Sequence, residues 1–317
     1  MIIVQVPLRI SFFGGGTDFP EYYEKYGGAV LTTAINKYIY VIVKPRFDDK
    51  IRLTYTKTEL VSHSKDLKHD IVRACMKETK IDHGIEIVTI GDVPSGTGLG
   101  SSSAVTVGVL KALHAYNGYE TGQQEIADLA DEIDRITLKQ PIGVQDQYIC
   151  SFGGFRFFGF DYEGITQYQI PVNQLFDNLL VFYTGISRNS SKILKVQRKN
   201  ISKRIEILNK MKGLVPKAIE SISTNNFDEF GKLLNEEWEL KKQLGPISTP
   251  HIDSLYKKAI KAGALGGKLL GAGGGGFLLF YCPGGTKENV RKSLSKLVEM
   301  QFKPEPDGAK VILNYRT

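Results

Sequence analysis

Three glycine-rich segments, spread along 317 residues, constrain this chain more than any other feature. The most informative is Pro94-Ser95-Gly96-Thr97-Gly98-Leu99-Gly100, followed at once by Ser101-Ser102-Ser103. Alternation over Ile85–Ile90 reads as a strand before it, and the apolar spacing after it reads as a helix to about Tyr116. A glycine turn ending at a helix N terminus aims unpaired N–H groups and the positive end of the helix dipole at one point, which makes an anion site. The serines add hydroxyl donors and a candidate ligand for a hard cation such as Mg²⁺. No lysine follows Gly100, so this is not a Walker loop, and the glycine spacing does not match the dinucleotide fingerprint. A tight turn with a serine cap is the plainer alternative.

The second segment runs from Pro7-Leu8-Arg9-Ile10-Ser11 through Phe12-Phe13 to Gly14-Gly15-Gly16-Thr17-Asp18. An arginine among apolar strand residues requires a partner, and a strand-end ion pair beside a mobile turn accounts for the pattern as well as a binding loop does. The third, Gly271-Ala272-Gly273-Gly274-Gly275-Gly276, precedes the apolar strand Phe277–Tyr281. Ordering four successive glycines is entropically costly, so something must come close to that backbone. Another loop and a ligand are equally good candidates.

Length favours two domains, because single cores rarely grow beyond roughly 250–300 residues. We place the boundary in the loop Gly164–Val172, dividing 1–168 from 169–317, and the mix of strands and helices reads as α+β. The helices expected nearest the motifs are Gln123–Leu138, with Ile126, Leu129, Ala130, Ile133 and Ile136 on one face, and a long Ser190–Lys212. Cys75, Cys150 and Cys282 form no CxxC pair and carry no assigned chemistry. Apolar runs fall short of the ~20 residues that span a bilayer, and Met1–Val6 lacks a basic leader, so a cytoplasmic chain without membrane contact is expected.

The net charge of +7 leaves nucleic acid open until it is located. Arg188–Lys217 holds ten basic residues and one acid, a local +9, which leaves the rest of the chain at −2. Apart from Tyr183 just before it, the segment has no aromatic residue to stack on bases. Lys195 to Lys217 therefore read as a solvated helix face, and no nucleic-acid partner is expected.

In this order and spacing, Pro-x-Arg, the Gly96–Ser103 loop and the Gly271–Gly276 run resemble the three motifs of the GHMP kinase superfamily, over nearly the full chain. Within it, Arg9–Asp18, Gln145-Asp146-Gln147-Tyr148 and Thr184-Gly185-Ile186-Ser187-Arg188 look most like D-glycero-D-manno-heptose 7-phosphate 1-kinases. Fucokinase- and galactokinase-like sugar 1-kinases are the rival reading. The resemblance implies a two-domain fold, with an N-terminal ribosomal-protein-S5-like domain, a C-terminal ferredoxin-like α/β domain and the active site between them. It also implies an ATP- and Mg²⁺-dependent kinase acting on a sugar or sugar phosphate, as a monomer or homodimer.

By that resemblance Pro94, Gly96, Thr97, Gly98, Leu99, Gly100, Ser101, Ser102 and Ser103 would wrap the ATP phosphates. Ser102 would also coordinate Mg²⁺. Asp146 would be the catalytic base, steadied by Arg9. Gly15, Gly16, Thr17, Asp18, Asp146, Gly273 and Gly274 would contact the sugar, and Arg188 its own phosphate. Relatives carry a glutamate twelve residues before the motif aspartate, and counting back from Asp146 gives Asp134, one methylene shorter. At about 100° per residue, Asp134 and Glu132 flank the apolar stripe on opposite sides, so either could reach inward, and spacing favours Asp134 as the second metal ligand.

Overall fold

The computed structural model describes residues 1–172, 174–187 and 190–315. Its first layer is an eight-stranded sheet of β1 (Ile2–Phe13), β2 (Gly28–Pro45), β3 (Ile51–Thr54), β4 (Thr58–Val61), β5 (Ile85–Gly91), β6 (Phe155–Phe160), β7 (Ile165–Gln169) and the last strand of the chain. Helices α1 (Pro20–Tyr26), α2 (Asp70–Glu78), α3 (Ser101–Asn117), α4 (Gln123–Asp131) and α5 (Gln145–Phe152) accompany it. The second layer is an antiparallel sheet of β8 (Leu179–Tyr183), β9 (Gly266–Leu269), β10 (Phe277–Tyr281) and β11 (Val298–Glu299) in the order β11-β8-β10-β9. With it go α6 (Ser190–Asn200), α7 (Ile205–Ser223), α8 (Phe227–Lys242), α9 (Pro250–Lys261) and α10 (Lys287–Ser293).

The long strand β2 organises the first sheet. It pairs with β1 along its length, with β6 at its start and with β5 at its end. Alternation fails in β1, whose last eight residues are all buried, because both of its faces are covered. Helix α3 packs on β1 and β2, while Phe12 and Phe13 meet Phe230 of α8 edge-to-face at 5.5 and 5.1 Å. Such aromatic pairs add about 0.5–1.5 kcal/mol each beyond their burial. The strand carrying Arg9 thus ends inside the junction of the two layers.

Three elements depart from the sequence reading. The final strand β12 (Lys310–Asn314) returns to pair with β1, so a division at residue 168 does not contain it. The basic helix is broken: a 3-10 turn at Ile201–Lys203 separates α6 from α7, at Asn200 and Ser202, residue types of low helix propensity. The helix from Gln123 changes to π-helical turns over Glu132–Thr137. That wider turn shifts the phase of the apolar stripe, leaving Ile136 exposed and Asp134 completely buried. Among the described residues no helix is long and apolar enough to cross a membrane. All three cysteines are buried free thiols whose burial pushes their pKa up, which keeps them inert.

Candidate active site

A cleft of about 1010 Å³, counting its open mouth, lies where the three glycine loops meet. Arg9 reaches it from β1 and Asp146 from the first turn of α5, 137 residues away in sequence. The guanidinium grips the carboxylate with two bonds, Nε to Oδ1 at 2.7 Å and Nη2 to Oδ2 at 2.8 Å. Its Nη1 donates to the Gly98 carbonyl at 2.7 Å. The strand backbone joins the same loop, Arg9 N donating to Leu99 O at 3.0 Å. Burial works against the Arg9 charge, but attraction and hydrogen bonding to Asp146 outweigh it and raise its pKa. Asp146 keeps 24% of its side chain exposed to the cleft, so this fixed carboxylate remains open to a ligand.

In the Gly96–Ser103 loop, Gly96, Gly98 and Gly100 all have positive φ (73°, 86° and 77°), while Thr97 and Leu99 are buried anchors. No side chain caps α3, so its first N–H groups face the cleft beside Ser101, Ser102 and Ser103. Pro94, Thr97 and Leu99 do not line it. The third loop lies behind. A Cβ on Gly271 would sit 2.4 Å from the Gly98 Cα, and one on Gly276 would sit 2.1 Å from the Thr97 carbonyl oxygen. Gly273 and Gly274 pack on Ile247 instead of lining the cleft, to which this loop contributes Gly271 and Ala272.

The second loop supplies Gly15, Gly16 and Asp18 to the cleft wall. Asp18 is held by Gly16 N–H at 2.9 Å, Gln145 Nε2 at 3.0 Å and Gln145 N–H at 3.3 Å. It can enter only because Gly143 lacks a side chain, whose Cβ would lie 2.0 Å from Asp18 Oδ2. Burial raises its pKa, against those three donors. Thr17 turns away from the cleft: its hydroxyl donates to Gly14 O and Ala29 O within the loop. Arg188 lies outside the described residues.

Asp134 sits beneath the start of α3 and accepts from Thr106 Oγ1 at 2.7 Å and Gln147 Nε2 at 3.0 Å, and its carboxylate is also hydrogen-bonded by the Ser103 side chain. Glu132, the alternative, is exposed. Desolvation pushes the Asp134 pKa up to about 6, and among the described residues no cation balances it. A fully buried carboxylate without a counter-charge, bonded to Ser103, the neighbour of the exposed Ser102, is a donor that suits a hard cation.

Several cleft residues escaped the sequence reading. Lys268 of β9 and Glu237 of α8 form a buried pair at 3.3 Å, and both hold the second loop, Lys268 through Phe12 O and Glu237 through Gly14 N–H. Lys241 donates to Leu269 O and Gly271 O, at the root of the third loop. The i, i+4 spacing of Glu237 and Lys241 within the apolar pattern Phe230, Leu234, Trp238 was a readable signal that charge faces inward there. Gln197 and Leu194 of α6 close the outer side.

Comparison with known proteins agrees with this architecture. Family descriptions for the GHMP kinases N terminal domain and GHMP kinases C terminal match residues 66–154 and 218–299. D-glycero-alpha-D-manno-heptose 7-phosphate kinase of Campylobacter jejuni is 33% identical, with 93% of each chain covered. A mevalonate kinase of Thermococcus sibiricus is 28% identical, with 89% of each covered. The crystal structure of a D-glycero-D-manno-heptose 1-phosphate kinase from Bacteroides thetaiotaomicron superposes over all of both chains with a TM-score of 0.82 at 25% identity. Three glycine loops around one cleft, two matched halves and a full-length relative above 30% identity all lead to the same place: this chain belongs to the GHMP kinases.

Proposed function

We propose that the protein transfers the γ-phosphoryl group of ATP to the anomeric C1 hydroxyl of D-glycero-D-manno-heptose 7-phosphate. The carrying observation is the Arg9–Asp146 pair fixed at the mouth of an uncapped helix N terminus, in a chain whose 33% identical relative bears a heptose 7-phosphate kinase name. Anion-binding N–H groups of α3 hold the nucleotide phosphates, and the positive φ of Gly96, Gly98 and Gly100 turns the loop into the start of that helix. Asp146 accepts the proton of the C1 hydroxyl as its oxygen attacks the γ-phosphorus and ADP leaves. Arg9 fixes the rotamer of that carboxylate and places a permanent positive charge beside the developing one.

Ser102 and Asp134 are the residues that would hold Mg²⁺, which when bound neutralises phosphate charge. Asp18 and the Gly15-Gly16 backbone face the sugar. We assign the substrate's own phosphate to Arg188, two residues before α6 in the sequence, the helix whose Leu194 and Gln197 wall the cleft. The test is ADP release with a panel of heptose 7-phosphate, fucose, galactose and mannose 6-phosphate. The proposal expects the highest kcat/KM for heptose 7-phosphate, and a preference for an unphosphorylated sugar would refute it.

A further inference from the structure

Seven buried side-chain polar atoms among the described residues make no hydrogen bond, and two of them, Ser11 Oγ and Gln145 Oε1, belong to residues lining the cleft. Both residues are only 8% exposed. A buried polar atom left without a partner costs stability, so it persists where function requires it. Ser11 lies two residues after Arg9 on β1, so both side chains project from the same face of the strand. Gln145 directly precedes Asp146 on α5, and the orientation of its amide is fixed because Nε2 must be the atom donating to the Asp18 carboxylate. Its oxygen is therefore the free end. The two residues flank one spot: a Cβ on Gly15 would lie 3.8 Å from Ser11 Oγ and 4.0 Å from Gln145 Nε2.

We propose that Ser11 and Gln145 are specificity-determining residues, which read the ring hydroxyl neighbouring the reacting carbon of a sugar. Ser11 can donate and accept, whereas Gln145 Oε1 only accepts, so together they demand a hydroxyl and reject a hydrogen or an ether at that position. The inference rests on the reading of this cleft as a C1 kinase site, and it adds the group by which the sugar is recognised. It also assigns a use to the bare backbone at Gly15, where a side chain would enter the space between the two.

The experiment compares wild type with Ser11→Ala and Gln145→Met on the preferred sugar and on its 2-deoxy analogue. With the parent sugar both variants should raise KM at least tenfold, with kcat within about threefold. With the analogue, wild type and Ser11→Ala should agree within twofold, because the hydroxyl is already missing, whereas Gln145→Met, which also frees Asp18 of its Nε2 donor, should keep a smaller rise in KM. Thermal melting adds a reading that a structural role cannot mimic: Ser11→Ala removes an unpaired buried hydroxyl and should melt no lower than wild type. A parent-sugar KM unchanged in both variants would overturn the proposal, and so would an equal rise for the analogue in Ser11→Ala. Calorimetric binding of the sugar without ATP separates this inference from the kinase reading. Wild type that binds sugar without turnover breaks the kinase reading alone, and variants that bind as tightly as wild type break this one.

Discussion

Gly96–Gly100 and Gly271–Gly276 are alike in composition, yet the space their missing side chains leave is used differently. In the first loop glycines alternate with the buried anchors Thr97 and Leu99, Gly98 itself lies against the third loop, where a Cβ would meet Leu270 O at 2.5 Å, and the chain then enters α3 with its N terminus uncapped. In the second, Gly271, Gly273, Gly275 and Gly276 lie against Gly98, Ile247, Ile186 and Thr97, each with a neighbour closer than 3 Å to where a Cβ would be. One loop offers backbone to a ligand and the other braces that loop from behind. Glycine content alone does not separate these roles; a following helix N terminus does.

The difference predicts that changes on the side of the first loop alter turnover, and changes in the second alter stability. The largest effect is expected from Asp146→Asn, which keeps only one of the two Arg9 bonds, since its amide nitrogen donates, and removes the proton acceptor. The expected loss in kcat is about 10²–10⁴-fold, with nucleotide affinity retained in a titration of a non-hydrolysable ATP analogue. Gly100→Ala comes next. It forces an alanine to a φ of 77° and sets its Cβ 3.0 Å from Arg9 Cγ, and displacing that pair should lower kcat by about 10²-fold. Steady-state kinetics check both.

Asp134→Asn sharpens the comparison from beneath the first loop. In the folded protein Asp134 holds its proton up to about pH 6, against an ordinary value of 3.8. The folded form therefore binds more protons in that window, and stability falls as pH rises through it. Above the window the buried charge costs at most about 3 kcal/mol. The asparagine variant should melt higher than wild type at pH 7.5, lose that advantage near pH 4, and lose its stimulation by Mg²⁺. Gln147 Oε1, which has no partner, can accept from the new amide once the glutamine flips. The smallest effect is Gly273→Ala, where strain at a φ of 107° and the approach to Ile247 should cost about 1–3 kcal/mol. Melting temperature should drop while kcat and KM of the folded enzyme stay unchanged. A shift in ATP KM instead would end the distinction between the two loops.

The three loops were legible because each is a local pattern, a turn followed by a strand or helix. What joins them was not. The partner that Arg9 demanded stands 137 residues on; no local spacing gives that distance, and only the family resemblance pointed to Asp146. That Asp134 is buried and Glu132 exposed depends on a π-helical segment that ideal helix geometry does not anticipate. Lys268, between two buried strand neighbours, posed the same question as Arg9 and could have been read the same way; its partner Glu237 was signalled only by its i, i+4 spacing with Lys241 on α8. Thr17 was misread because a polar residue in a glycine turn serves the turn as readily as a ligand.

Phosphorus NMR of the product formed from ATP, Mg²⁺ and heptose 7-phosphate tests the central claim most directly. The account predicts a sugar carrying two phosphates, the original one at C7 and a new one whose resonance couples to the anomeric proton. A new phosphate at any other carbon, or transfer that persists undiminished in Asp146→Asn, would contradict it.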